Sequence, residues 1–120
     1  MYILVVDDNK DICTLIQSIL LSENHEVKVC CNPLKAHEII DGNPPAMVIT
    51  DMLMSGTDGL ALSREIKADP ANRDVKIMMM SAHPDAAEIS RNAGFDDFLP
   101  KPFEIDELIA KVSALLPKKD

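Results

Sequence analysis

The chain has 120 residues, 47% hydrophobic and 27% charged, enough to bury one compact core and unlike the composition of a fibre or a disordered tail. Its net charge of -8, from 20 acidic and 12 basic residues, leaves no concentrated cationic face, which argues against direct nucleic-acid binding. No apolar run approaches the roughly 20 residues of a membrane span and no basic segment precedes the first apolar run, so the sequence reads as a cytoplasmic protein without membrane contact.

The first apolar run, YILVV (2–6), has strand length and stops at Asp7 and Asp8. Ile12, Leu15, Ile16, Ile19 and Leu20 then recur at helical spacing. EVKVC (26–30) predicts a second strand, and Asn32 with Pro33 predicts the cap and first position of a short helix with Ala36, Ile39 and Ile40 inside and Gly42 just past its end. AMVIT (46–50) predicts a third strand, ending at Asp51. A helix over about 58–68 should bury Leu62 and Ile66 before Pro70 stops it. VKIMMM (75–80) predicts a fourth strand whose Met78, Met79 and Met80 are packing residues, and it stops at Ser81.

Pro84 then opens a predicted fourth helix that ends at Gly94. FDDFL (95–99) is a less regular fifth strand, mixing acids with aromatics, and Lys101 follows it. Ile105, Leu108, Ile109, Val112, Leu115 and Leu116 form the stripe of a last helix. Cys13, Cys30 and Cys31 lack the C-x-x-C spacing of a zinc or redox motif and read as core thiols in a reducing compartment. His25, His37 and His83 have no ligand spacing.

Five strand-helix units in succession imply a parallel sheet with helices on both faces, because parallel strands need right-handed crossovers. In the doubly wound order 2-1-3-4-5, the first and third strands adjoin at the topological switch point, which brings Asp7, Asp8 and Asp51 within a few ångströms. Ser81 and Lys101 follow along the same edge. Three carboxylates that close repel one another unless a proton or a cation intervenes. With oxygen ligands alone on offer, a hard ion such as Mg²⁺, with Mn²⁺ as a substitute, is favoured over zinc. Taken singly, these residues have plainer readings: Asp7 and Asp8 as an acidic helix cap, Lys101 as a solvated lysine, Ser81 as a turn residue and Phe98 as a core aromatic.

Taken together, the pair Asp7-Asp8, Asp51 heading D-M-L-M-S-G-T-D-G, Ser81-Ala82 and the tripeptide Lys101-Pro102-Phe103 resemble the receiver domain of two-component response regulators. The resemblance covers the whole chain and implies a flavodoxin-like (βα)5 fold, here a single receiver domain over residues 1–120 without an output domain. It implies that Asp51 accepts a phosphoryl group, that Asp7, Asp8, Asp51 and the backbone carbonyl of Leu53 hold Mg²⁺, that Lys101 and Ser81 contact the phosphoryl oxygens, and that Phe98 is the aromatic switch. The implied donor is a sensor histidine kinase or a histidine phosphotransfer protein, and the recipient of the signal is an unspecified downstream protein.

Such a domain catalyses its own phosphorylation and dephosphorylation without being a turnover enzyme. A Mg²⁺-dependent phosphohydrolase with a nucleophilic aspartate is the alternative, but that chemistry expects an acid where Leu53 stands. Moving a two-state population from 1:99 to 99:1 takes about 5.5 kcal/mol, and a charge-assisted hydrogen bond from Ser81 supplies roughly 1.5–3 kcal/mol. Lys101 and the burial of Phe98 are therefore expected to share the coupling. Ser55 stands where the family usually has proline, and 12 residues separate Ser81 from Gly94, fewer than is common. Met1 and the basic tail suggest a self-contained protein, with a piece of a larger regulator or hybrid kinase as the other possibility.

Overall fold

Residues 2–54, 57–82 and 95–116 are described in the computed structural model of the chain. Five short apolar segments form one sheet: β1 (Ile3–Val6), β2 (Val27–Cys30), β3 (Met47–Asp51), β4 (Lys76–Ser81) and β5 (Asp97–Pro100). Every neighbouring pair is parallel, and the order is β2-β1-β3-β4-β5, as the doubly wound reading requires. Leu53–Met54 and Thr57–Asp58 make a small separate antiparallel ladder. The described helices are α1 (Lys10–Ser22), α2 (Ala36–Gly42), α3 (Gly59–Ala68) and α4 (Ile105–Leu115).

The period of two along each strand divides the core. Ile3, Val5, Met47, Ile49, Met78, Met80 and Leu99 pack with Cys13, Ile16 and Leu20 of α1 and Leu108 and Val112 of α4. Tyr2, Leu4, Val6, Val48 and Ile77 pack on the other face with Ala36 and Ile40 of α2 and Leu62 and Ile66 of α3. Both faces are thus covered, which explains strands that read as continuous apolar runs. No described helix is long and apolar enough to cross a membrane.

Local chemistry sets the ends of these elements. Asn9 caps α1, its side-chain oxygen accepting from the Asp11 and Ile12 amides at 2.9 and 3.3 Å. Beyond α1, Asn24 takes the left-handed conformation at φ 66°, which asparagine tolerates better than most residues. The expected cap at Asn32 exists, but it opens a single 3₁₀ turn (Pro33–Lys35), so α2 begins only at Ala36 and Gly42 is its last residue rather than the one after it. In α1 the buried line is Cys13, Ile16 and Leu20, whereas Leu15 is 45% exposed, so the helix is rotated away from the purely hydropathic stripe. Ile105 likewise stands out in solvent, in the first turn of α4.

The fifth strand starts two residues later and ends one residue later than the expected 95–99, and the two acids of that run have partners elsewhere in the fold. The Asp96 carboxylate accepts from the Ile77 amide at 2.7 Å, and Asp97 pairs with Lys111 of α4 at 3.0 Å. The predicted helix from Pro84 to Gly94, together with Ser55 and His83, lies outside the described residues.

Candidate functional site

The register of the sheet builds the site. Val6 is level with Thr50, so Asp7, one residue past β1, sits beside Asp51, the last residue of β3. Asp51 is in turn level with Met80, and Ser81 ends β4 opposite Pro100 of β5. Lys101 follows at once, its amide donating to the Ser81 carbonyl at 3.0 Å, and the next peptide bond, Lys101-Pro102, is cis. The carboxyl ends of four strands thereby deliver their polar residues to one crevice.

Asp7, Asp8 and Asp51 each offer a carboxylate oxygen, and these oxygens lie within 4.8 Å of one another. Exposure falls from Asp8, which is open to solvent, through Asp51 at 16% to Asp7 at 1%. The ammonium of Lys101 sits 3.3 Å from Asp7 Oδ2 and 3.3 Å from Asp51 Oδ2, bridging the two more buried acids. Burial pushes the Asp51 carboxyl above its ordinary range; the Lys101 ammonium opposes that push and the Asp7 charge adds to it. The donor set is made wholly of oxygen, which suits a hard divalent cation and gives a soft one no thiolate or imidazole.

Residues 3–113 match the family model of the response regulator receiver domain. The chain belongs to this family. It is 33% identical over 116 residues to the response regulator MprA of Mycobacterium sp. (strain KMS), an alignment covering 95% of this chain and 50% of that protein. Against the phosphate regulon transcriptional regulatory protein PhoB of Pseudomonas aeruginosa it is also 33% identical over 116 residues, with 95% and 51% covered. The chain thus spans about half the length of the curated relatives it matches. The receiver domain of NtrX from Brucella abortus superposes with a TM-score of 0.87 at 35% identity, covering 98% of this chain and 99% of that one.

Within this receiver domain, the structure brings together Asp7, Asp8, Asp51 and Lys101, with Ser81 adjoining in the sheet and 4% exposed. Phe98 lies one strand over, partly buried against the cluster formed by Met52 and Met79. Leu53 opens the small ladder just beyond Asp51.

Several supporting residues escape a reading of strand ends. The Asn9 amide donates to Asp7 Oδ1 at 2.9 Å, so the same residue caps α1 and orients the most buried acid. The capping role was legible, since asparagine directly before an apolar helical stripe is a start signal. The Asp7 main-chain oxygen accepts from the Cys13 thiol at 3.3 Å, and Thr50 Oγ1 donates to the Asp51 carbonyl at 3.1 Å. Gly59 meets the same carbonyl, because a Cβ built there would lie 2.5 Å from Asp51 O and 2.8 Å from the Met79 side chain. The need for glycine at this position is steric closeness, which local sequence does not signal.

Proposed function

We propose that Asp51 is the phosphoryl acceptor of this receiver domain and that Asp7, Asp8, Asp51 and the Leu53 carbonyl hold Mg²⁺. The observation that carries the assignment is the position of Asp51: it is reachable from solvent, yet its carboxylate is 3.3 Å from an ammonium and shares a 4.8 Å cluster with two further acids. A divalent cation bound there would offset the carboxylate charges and draw in phosphate oxygens. The donor is a phosphohistidine on a sensor histidine kinase or on a histidine phosphotransfer protein.

An Asp51 oxygen attacks phosphorus in line while the imidazole nitrogen of the donor leaves with its bonding pair. Lys101 is set to swing from its two carboxylates onto the incoming phosphoryl oxygens, offsetting charge as anion approaches anion. Ser81 donates its hydroxyl to one of those oxygens, and Phe98 repacks against Met52 and Met79 in response. The acyl phosphate formed is hydrolysable, so the signal is temporary. The domain works in the cytoplasm, and its recipient is a downstream protein or an output unit of a longer regulator.

The phosphohydrolase reading is not favoured, since Leu53 supplies no acid two positions past Asp51 and the family matched is that of receivers. The deciding test is incubation with acetyl phosphate, with and without Mg²⁺, followed by intact-mass measurement. One phosphoryl adduct is expected on the wild type with Mg²⁺ and none on Asp51→Asn. An adduct that persists on the variant, or forms equally in EDTA, would overturn the assignment.

A further inference from the structure

Every polar atom of Asp7 has a partner. Its amide donates to the Cys30 carbonyl at 3.2 Å, Oδ1 accepts from the Asn9 amide at 2.9 Å, and Oδ2 faces the Lys101 ammonium at 3.3 Å. Beyond Cys30 the chain leaves the side of β1, because Asn32 turns its side-chain oxygen onto the Leu34 amide and opens the 3₁₀ turn. The remaining atom, the Asp7 main-chain carbonyl, accepts from the Cys13 thiol at 3.3 Å. Cys13 is the fourth residue of α1, 1% exposed, and shares an apolar cluster with Val5, Ile16 and Leu20. Of the four contacts at Asp7, this is the one made by an uncharged side chain, so it can be altered without changing the charge of the crevice.

We propose that Cys13 is a positioning residue for the cation site: its thiol, fixed in the core, holds the peptide plane between Asp7 and Asp8 so that both carboxylates present oxygens to the three-acid cluster. The proposal rests on the reading of Asp7, Asp8 and Asp51 as residues that hold Mg²⁺. The Asp7 carbonyl belongs to the planar unit that joins it to Asp8. Turning that plane changes ψ of Asp7 and φ of Asp8 together, and so redirects the Asp8 side chain. Asp8 is exposed and gains little from core packing, which leaves its direction to the main chain.

Groups that orient metal-holding residues without touching the ion typically change its affinity about 10–100-fold when removed. A thiol is a weak donor, so the effect of Cys13 belongs at the lower end of that range. Substitutions separate donation from packing. Alanine is smaller than cysteine and valine larger, and neither donates; serine is close in size and donates, but places a hydroxyl among apolar neighbours. A role in packing alone therefore ranks serine with the poor replacements, whereas a role in positioning ranks it first.

The test uses the full 120-residue chain, titrated with Mn²⁺ while the free-ion electron paramagnetic resonance signal is followed, and then with Mg²⁺ in competition. Cys13→Ala and Cys13→Val should weaken both ions about five- to tenfold, and Cys13→Ser by no more than about twofold, whatever the order of their urea midpoints. In EDTA, the ¹⁵N shift of the Asp8 amide, which senses hydrogen bonding at the carbonyl of its own peptide, should move in the alanine and valine variants and stay near the wild-type value in serine. Ion affinities that follow the urea midpoints, or alanine and valine variants that bind as wild type does, would overturn the role of Cys13 alone. A wild type that binds neither ion, or an Asp8→Asn variant that binds both as tightly as wild type, would remove the ion site itself and the proposal with it.

Discussion

Lys101→Met removes the ammonium that bridges Asp7 and Asp51 while keeping most of the side chain's apolar stem. Each contact is 3.3 Å long. At an effective dielectric near 20, one such pair is worth roughly 5 kcal/mol of Coulomb attraction, much of it offset by desolvation. Removing one partner of a buried pair costs about 3–5 kcal/mol, because the other charge is left behind. Asp7 at 1% exposure argues for the upper end and Lys101 at 21% for the lower, which sets the expectation near 3 kcal/mol in EDTA.

With a urea m-value near 1.5 kcal/mol/M, that loss lowers the unfolding midpoint by about 2 M. Mg²⁺ at about a hundred times its dissociation constant should restore up to about 2.7 kcal/mol. A second arm isolates the cause. Asp51→Asn removes the like charge facing Asp7, so it should help the Lys101→Met background more than the wild type, a coupling that a double-mutant cycle measures directly. A midpoint in EDTA within about 0.3 M of wild type, or an Asp51→Asn effect equal in both backgrounds, would refute the view that Lys101 neutralises this pair of acids.

Further outcomes follow from other contacts. The folded-state pKa of Asp51 is raised above its ordinary value of 3.8, so its ionisation opposes folding. Asp51→Asn should therefore be more stable than wild type at neutral pH, and the advantage should shrink as pH falls through the raised value and vanish below about 3.8, as read from urea midpoints in EDTA across that range. Gly59→Ala drives a methyl against the Asp51 carbonyl and should cost about 1–3 kcal/mol in thermal unfolding, together with slower phosphorylation by acetyl phosphate; unchanged stability and rate would show that the helix start yields freely. Asp96→Ala strips the acceptor from the Ile77 amide, and a loss of about 1–3 kcal/mol is expected, with faster hydrogen exchange at that amide as the local readout.

The sheet was readable because its signal is local. Each central strand is a short apolar run, and the residue that ends the run is the one the fold carries to the crevice. Asp7, Asp51, Ser81 and Lys101 were found this way. What escaped depends on partners distant in sequence. FDDFL looked irregular because the acceptor role of Asp96 and the pairing of Asp97 are satisfied by Ile77 and by Lys111, which no local pattern reveals. In α1, hydropathy favours Leu15 over Cys13, yet the phase that seats Ile16 and Leu20 against the sheet also turns Cys13 inward. The acids were expected to need a cation, and the bridging position of Lys101 supplies one from the chain itself.

The chemistry of the two outer strands of the sheet bears on how other proteins can attach. An open strand edge offers unpaired amides and carbonyls to any extended segment, a route to aggregation as well as to recruitment. Here β2 and β5 have four residues each; β2 carries exposed Lys28, seated 4.5 Å over the Tyr2 ring, and β5 carries Asp97 and ends at Pro100, which has no amide hydrogen to donate. Both margins are short and charged, so strand addition is disfavoured at either side of the sheet. Association is left to helical and loop surfaces, where a small rearrangement near the crevice can alter contact without unzipping the sheet.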